Sequence, residues 1–169
     1  VDAVNLRLGP PQPVGLVGEM SSVINVGQAG LVAVDRATAE AVVVPPNGEA
    51  LPFDVGAAGD GDRTQIAADG AVWTIADGRL SRVTSASEQV LASGLADARF
   101  TLVGNRPLLF DADRRRVRFD DGDWVSLPTD VDASEVLLQT PGPRADCGWV
   151  VANDDLWCVG TDGIDEQRT

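Results

Sequence analysis

The chain has 169 residues, of which 44% are hydrophobic and 23% charged, and its formal net charge at pH 7 is −13. A chain of this length and composition buries roughly 70% of its unfolded surface and forms one folded domain. The negative charge disfavours nucleic acid and anionic membranes as partners, and the absence of His removes the commonest general base and metal ligand.

The chain begins with an apolar leading segment, residues 1–20, in which residues 4–8 could form a ring-closing strand. It starts at Val1 without an initiating Met, so we expect a processed or trimmed piece of a longer protein. No apolar run reaches the roughly 20 residues of a membrane-spanning helix. We therefore expect no direct membrane insertion by this segment.

Four β-hairpins follow in chain order. Residues 69–83 read DGAVWTIADGRLSRV, and Asp77-Gly78 suits the two-residue turn of a hairpin. Similar patterns occupy residues 29–44, 105–119 and 146–159. Taking Leu31, Val72, Leu108 and Trp149 as equivalent positions, the steps are 41, 36 and 41 residues. A repeat of about forty residues is typical of β-propeller blades.

Each hairpin has a predicted strand on either side. The strands that precede the hairpins are residues 21–26, 63–68, 98–103 and 134–139, and those that follow are residues 49–53, 88–93 and 123–128. The fourth unit ends in IDEQRT, which makes a poor last strand. The sequence thus predicts four repeats, at residues 21–62, 63–97, 98–133 and 134–169, within one domain over residues 21–169.

The predicted fold is all-β: a β-propeller of about four blades, each with four antiparallel strands. The alternative is a β-sandwich, which also has short strands with regular turns. Four blades form either a small closed ring or half of a larger ring. In the second case the open sheet edges could join two copies into a homodimer.

The hairpins GAVWTIADGRLSRV and CGWVVANDDLWCV resemble the blades of sensor-type, quinoprotein-like or lactonase-like β-propellers, over roughly residues 21–165. More loosely, the acidic, Lys-free pattern is similar to the propeller regions of actinobacterial envelope proteins that carry fibronectin type III domains. The resemblance implies a propeller fold and a binding role. The His and metal-ligand residues of the enzymes in these families have no match here, so the resemblance assigns no catalytic residue and no cofactor.

The four tryptophans are candidates for packing or for ligand stacking. Trp73 and Trp149 occupy matching positions in the second and fourth units, which favours packing between blades. Trp124 and Trp157 match neither each other nor that position, and one of them could be exposed. Core packing is the preferred interpretation for all four.

Carboxylates are the other candidates for a functional site. Residues 54–62 and 110–124 place Asp at short spacings that could hold calcium, but neither fits an EF-hand loop and turn chemistry explains such residues. We therefore predict no metal. The basic cluster of Arg114, Arg115, Arg116 and Arg118 is expected to form salt bridges with Asp111, Asp113, Asp120 and Asp121.

The chain contains two cysteines, Cys147 and Cys158. If the last hairpin turns at residues 153–154, Cys147 and Cys158 become diagonal neighbours on one face, within reach of a disulfide. A one-residue shift in register would separate them, leaving two buried thiols in a cytosolic chain as the alternative. The disulfide interpretation favours an extracellular or cell-envelope location.

Three functions are compatible with these residues. The first is a non-catalytic propeller module that presents loops to a protein or polysaccharide at the cell envelope. The second is a lyase or hydrolase that uses paired carboxylates, with or without calcium, at the central channel. The third is a structural spacer within a larger envelope protein. The missing catalytic set favours the first.

Overall fold

A computed structural model of the chain describes residues 22–27, 30–35, 37–46, 48–56, 63–139, 145–153 and 155–167. In this part of the chain the regular structure is β-strand, with no α-helix. No helix long and apolar enough to span a membrane is present in these residues. The leading segment 1–20 and residues 57–62 of the first carboxylate stretch lie outside the described residues.

The strands form four antiparallel sheets of four strands each. Sheet 1 contains β1 (Ser22–Gly27), β2 (Gly30–Asp35), β3 (Glu40–Val44) and β4 (Leu51–Asp54). Sheet 2 contains β5 (Thr64–Ile66), β6 (Val72–Ala76), β7 (Arg79–Val83) and β8 (Glu88–Ser93). Sheet 3 contains β9 (Ala98–Val103), β10 (Arg106–Asp111), β11 (Arg116–Phe119) and β12 (Val125–Ser126). Sheet 4 contains β13 (Leu137–Gln139), β14 (Gly148–Ala152), β15 (Asp155–Gly160) and β16 (Gly163–Gln167).

Strands follow chain order within every sheet, so each sheet is a meander of three hairpin connections. This is the architecture of a propeller blade, whereas a sandwich packs two sheets face to face. The predicted all-β class and the four-strand unit are confirmed. The residue boundaries predicted for the domain and its repeats stay predictions.

Turn chemistry explains the hairpin at the centre of sheet 2. Asp77 and Gly78 have φ of 48° and 69°, and the flanking residues Ala76 and Arg79 are paired across the strands. Positive φ at both turn positions gives a twist that matches that of the strands. The predicted two-residue turn is confirmed.

Sheet 4 differs from expectation at its last strand. Residues 163–167 pair with β15, and Ile164 lies opposite Val159. The expectation of a poor last strand was wrong, because an outer strand needs little apolar alternation to pair through its backbone. Strand β12 is shorter than expected, since Pro128 lacks the N–H that would extend its pairing.

In the part of the chain that the structure describes, the core consists of three apolar clusters, each between consecutive sheets. The cluster between sheets 1 and 2 includes Val34 and Val72. Between sheets 2 and 3, Trp73 packs with Phe100. The largest cluster joins sheets 3 and 4, and its aromatic residues are Phe110, Phe119 and Trp157. The sheets are therefore held side by side by their faces, as blades are.

Candidate functional site

One end of the four sheets carries two sets of connections. The central hairpin turns follow β2, β6, β10 and β14, and the chain passes to the next sheet after β4, β8 and β12. Antiparallel strands alternate in direction, so both sets leave the sheets at the same end. We call this end the loop face.

Backbone hydrogen bonds fasten the turns of the loop face to the connections. Val55 N donates to Ala39 O at 3.0 Å in sheet 1, and Leu95 N donates to Gly78 O at 2.9 Å in sheet 2. The third sheet repeats the contact, with 2.9 Å between Leu127 N and Arg115 O. The loop face therefore presents side chains from turns whose backbone is already ordered.

Asp111 organises the turn of sheet 3. Its carboxylate is buried at the end of β10, where Oδ2 accepts from Arg114 Nη1 at 3.0 Å and from Arg116 Nε at 3.0 Å. Its Oδ1 accepts from the backbone N–H of Arg114 at 3.3 Å. Burial favours the neutral acid, but these hydrogen bonds and the positive charge of Arg116 outweigh it and hold the pKa of Asp111 below its ordinary value.

Two arginines of the same turn reach across the loop face. Arg114 donates through Nη1 to Gly94 O, at 3.4 Å, in the connection that follows sheet 2. Arg115 donates through Nη1 to Thr129 O, at 2.9 Å, in the connection that follows sheet 3. The turn of sheet 3 is thereby tied to both of its neighbouring connections.

Exposed carboxylates surround this turn. Among the described residues, those on the loop face are Asp54, Asp77, Asp97, Asp113, Asp130, Asp132 and Glu135. The backbone N–H and the hydroxyl of Ser134 hydrogen-bond to Asp132 and lower the pKa of its carboxyl group. Asp54 accepts from Gly56 N at 2.6 Å, which is the turn chemistry expected of it. In the described chain, no cluster of three or more carboxylates and cysteines is suited to a metal ion.

A cleft of about 200 Å³ opens between sheets 1 and 2 at the loop face. Its wall is formed by Val55 and Gly56 on one side and by a polar row of sheet 2 on the other. In that row Ser81 donates from Oγ to Glu88 at 3.1 Å, and Thr74 lies beside it. The cleft is therefore a polar recess in an otherwise apolar interface.

The remaining arginines of the basic cluster pack on Trp124. The guanidinium carbons of Arg116 and Arg118 lie 4.3 and 5.1 Å from the centre of the indole ring. Burial, followed by the charge of Arg116, lowers the pKa of Arg118. The predicted salt bridges hold for Arg114 and Arg116 with Asp111. Among the described residues, no ion pair joins Arg115 or Arg118 to the predicted carboxylates: Arg115 hydrogen-bonds to the carbonyl oxygen of Thr129, and Arg118 lies over the ring of Trp124.

The predicted disulfide is present. Cys147 and Cys158 are bonded, with their Cα atoms 5.6 Å apart. The register places Trp149 opposite Cys158, so Cys147, two residues earlier, is the diagonal neighbour. A cleft of about 390 Å³ borders the disulfide and the turn at Thr161.

Each tryptophan contributes to packing to a different extent. Trp73 and Trp157 are 3% and 4% exposed and belong to the inter-sheet clusters. Trp124 packs against the cluster between sheets 2 and 3. Trp149 is half-buried and lies on the face of sheet 4 that points away from sheet 3. The packing interpretation is confirmed for Trp73, but its counterpart Trp149 is only half covered.

Comparison with known proteins identifies the fold. No protein-family model and no curated protein matches the chain. Among solved structures, the chain is similar to a catalytically inactive histidine-to-alanine variant of virginiamycin B lyase from Staphylococcus aureus with quinupristin, with a TM-score of 0.56 and 15% identity. It is also similar to the selenomethionine-substituted form of that lyase, with a TM-score of 0.54 and 17% identity, and to a streptogramin B lyase, with a TM-score of 0.54 and 14% identity.

These matches cover 86% of this chain but only 53–54% of the lyase chains. The chain therefore spans about half the length of its structural neighbours. The likeness shows the β-propeller fold.

Proposed function

We propose that the chain is a non-catalytic β-propeller module that binds a protein partner through the loop face. The observation that carries this proposal is the combination of exposed carboxylates with turns fastened by backbone hydrogen bonds. Side chains on an ordered backbone lose little further entropy when a partner binds. Their negative charge steers and orients a partner with a basic surface.

A protein partner fits the loop face better than a polysaccharide. Polysaccharides were the other ligand class expected, and their sugar rings stack on exposed aromatic faces. In the described turns and connections of the loop face there is no Trp or Phe. The polar residues that reach solvent there are Asp, Glu, Arg, Asn, Thr and Ser, which suit a charged protein surface.

The lyase alternative has less support. One structural neighbour is a histidine-to-alanine variant whose name describes it as catalytically inactive. These 169 residues include no His. The candidate bases for a lyase or hydrolase built on this chain are carboxylates, and hydrogen bonds from two arginines lower the pKa of the buried Asp111 carboxyl group, which makes it a weaker base.

The disulfide supports an extracellular or cell-envelope location for this module, because such bonds persist in oxidising compartments. A role as a structural spacer within a larger envelope protein is the remaining candidate. A spacer would not need a charged face that discriminates between partners.

The test compares two triple variants of equal net charge. The first is Asp97→Asn/Asp113→Asn/Asp130→Asn on the loop face, and the control is Asp121→Asn/Asp123→Asn/Asp162→Asn at the opposite end. Each chain is cross-linked to proteins extracted from the surface of the cells that encode it, and bound proteins are identified by mass spectrometry.

We expect one set of proteins to be captured by the unmodified chain and the control, and to be lost with the loop-face variant and at high salt. Equal capture by all three chains, or binding only of surface polysaccharide, would contradict the proposal. Incubation with quinupristin tests the lyase alternative, and turnover would favour that function over binding.

A further inference from the structure

The interface between sheets 1 and 2 is open along its outer side, where the outer strands β4 and β8 border it. Leu51 on β4 pairs with Val43, which packs in the cluster between these sheets, so Leu51 shares that face. Val90 on β8 pairs with Ser81, which shares its face with Val83 of the same cluster. Both Leu51 and Val90 therefore point into the interface, yet each is 49% exposed.

The other two interfaces are better filled on their outer side. Trp124, just before β12, packs against the cluster between sheets 2 and 3, and Ile164 on β16 packs against the cluster between sheets 3 and 4. Between sheets 1 and 2, Phe53 on β4 packs in this way. In the described chain, however, Leu51 and Val90 belong to none of the clusters. Two large apolar side chains thus remain available in one interface.

Glu88 adds a negative charge beside these apolar side chains. It pairs with Val83, so it points towards sheet 1, and its Oε1 accepts from Ser81 Oγ at 3.1 Å. No arginine in the part of the chain that the structure describes forms an ion pair with this carboxylate. Ser81 and Glu88 also line the cleft of about 200 Å³, which Asp77 and Arg79 border. Two carboxylates against one guanidinium favour a cation there.

These residues form one continuous surface between the two outer strands. We call it the outer groove, and its residues are Leu51, Phe53, Ser81, Glu88 and Val90. Glu88 and Val90 are two residues apart on β8 and on the same face, so they lie roughly 7 Å apart along the strand. Alternate side chains of an extended peptide have the same spacing. One extended peptide can therefore present a basic side chain to Glu88 and an apolar side chain to Val90.

We propose that the outer groove binds an extended segment of a protein partner. The segment places a Lys or Arg side chain beside Glu88 and a large apolar side chain, two positions away, against Val90 and Leu51. This inference rests on the proposed function, because the cleft at the end of the groove opens on the loop face. It adds the chemistry of the partner, which combines a positive charge with one apolar anchor.

Selection from a library of random peptides displayed on phage tests the proposal. The intact chain is immobilised, and phage that bind the double variant Glu88→Gln/Leu51→Ser are removed first. We expect the enriched peptides to share a Lys or Arg two positions from a large apolar residue. No enrichment, or enriched peptides without this pair, would overturn the proposal.

Single variants identify the surface that an enriched peptide contacts. Glu88→Gln removes the charge and keeps an oxygen that can accept from Ser81, and Leu51→Ser removes the apolar contact. Fluorescence anisotropy of the labelled peptide should show an affinity about ten-fold lower for each variant. The matched controls are Glu135→Gln and Leu137→Ser, because both residues are exposed and lie outside the outer groove. Equal affinities for the groove variants and their controls would contradict binding in the groove.

Failure of this inference can be told apart from failure of the proposed function. The double variant Glu88→Gln/Leu51→Ser is added to the cross-linking of cell-surface proteins. Capture that is lost with this variant and with the loop-face triple variant supports both proposals. Capture that is lost with the triple variant alone would overturn the role of the outer groove and leave the proposed function standing. Equal capture by all chains, with peptide affinity still dependent on Glu88, would instead overturn the proposed function.

Discussion

Asp111 and Arg116 form an ion pair of 3.0 Å that closes the turn between β10 and β11. The same carboxylate binds Arg114, and its side chain is only 4% exposed. We predict that Asp111→Asn lowers the free energy of unfolding at pH 7 by about 2 kcal/mol, since a hydrogen bond to a charged group contributes about that much. Urea unfolding measures the difference, and Asp113→Asn on the same exposed turn is the control.

The pH dependence of this variant follows from the lowered pKa of Asp111. A carboxyl group with a lower pKa in the folded state stabilises the fold above its unfolded pKa, and this contribution is lost as the pH falls through the folded pKa. The difference between the wild type and Asp111→Asn should therefore shrink in acid. A difference that stays constant from pH 7 to strongly acidic pH would contradict this assignment of the charge.

The disulfide gives a second prediction. Cys147 and Cys158 are 11 residues apart, and closing a loop of that size stabilises the folded state by about 3 kcal/mol through the unfolded chain. We expect a reducing agent to lower the urea midpoint of the wild type by a corresponding amount. The double variant Cys147→Ala/Cys158→Ala should unfold at the lower midpoint and should not respond to the reductant. An unaltered wild-type midpoint on reduction would refute the prediction.

Features that are set by interactions between neighbouring residues could be predicted from the sequence, and features that depend on packing between sheets could not. Asp77 and Gly78 encode their turn by backbone preference alone, so the hairpin was predictable. The register that joins Cys147 to Cys158 followed from the position of the last turn. By contrast, the stacking of Arg118 on Trp124 depends on packing between sheets 2 and 3, which leaves no pattern in neighbouring residues.

The outer strands were also difficult to predict from the sequence. Strand β16 has the sequence GIDEQ, with Ile164 as its one large apolar residue, and β8 is largely exposed, so neither sequence alternates between apolar and polar residues. The partial burial of Trp149 could not be predicted from the sequence either, because the residues around Trp149 follow the same pattern as those around the buried Trp73. Whether a further sheet covers such a residue is a property of the assembly.

Gly148 gives a prediction about the interface between sheets 3 and 4. A Cβ atom at this position would lie 2.6 Å from Cδ2 of Leu108, which is fully buried. Gly148→Ala should therefore lower the free energy of unfolding by about 1–3 kcal/mol through overpacking. Gly160→Ala is the matched control on the adjacent strand, because its Cβ would meet only Asp146 O at 3.8 Å.

A double-mutant cycle separates overpacking from backbone effects. Truncation of Leu108 to Ala removes the atom that clashes, so Gly148→Ala should cost much less stability in the Leu108→Ala background. Thermal unfolding of the four chains gives the coupling. Additive effects of the two substitutions would show that the close approach to Leu108 is not the cause.

Asp120 has an electrostatic environment opposite to that of Asp111. Burial and the neighbouring carboxylate of Asp121 raise its pKa, against the attraction of Arg106 and Arg118. A carboxyl group with a raised folded pKa favours the fold when protonated, and this advantage is lost as the pH rises through the folded pKa. We therefore predict that Asp120→Asn, which removes the charge, raises the unfolding temperature at pH 7.

The substitution preserves the local backbone, because Asn tolerates the φ of 54° at this position and keeps the N–H that donates to Pro107 O at 2.7 Å. The gain in unfolding temperature should disappear in acid, where Asp120 of the wild type is itself neutral. Calorimetry from neutral to acidic pH measures both effects, with Asp123→Asn on the same turn as the control. A lower unfolding temperature for Asp120→Asn at pH 7 would mean that the attraction of Arg106 and Arg118 outweighs burial and the repulsion from Asp121.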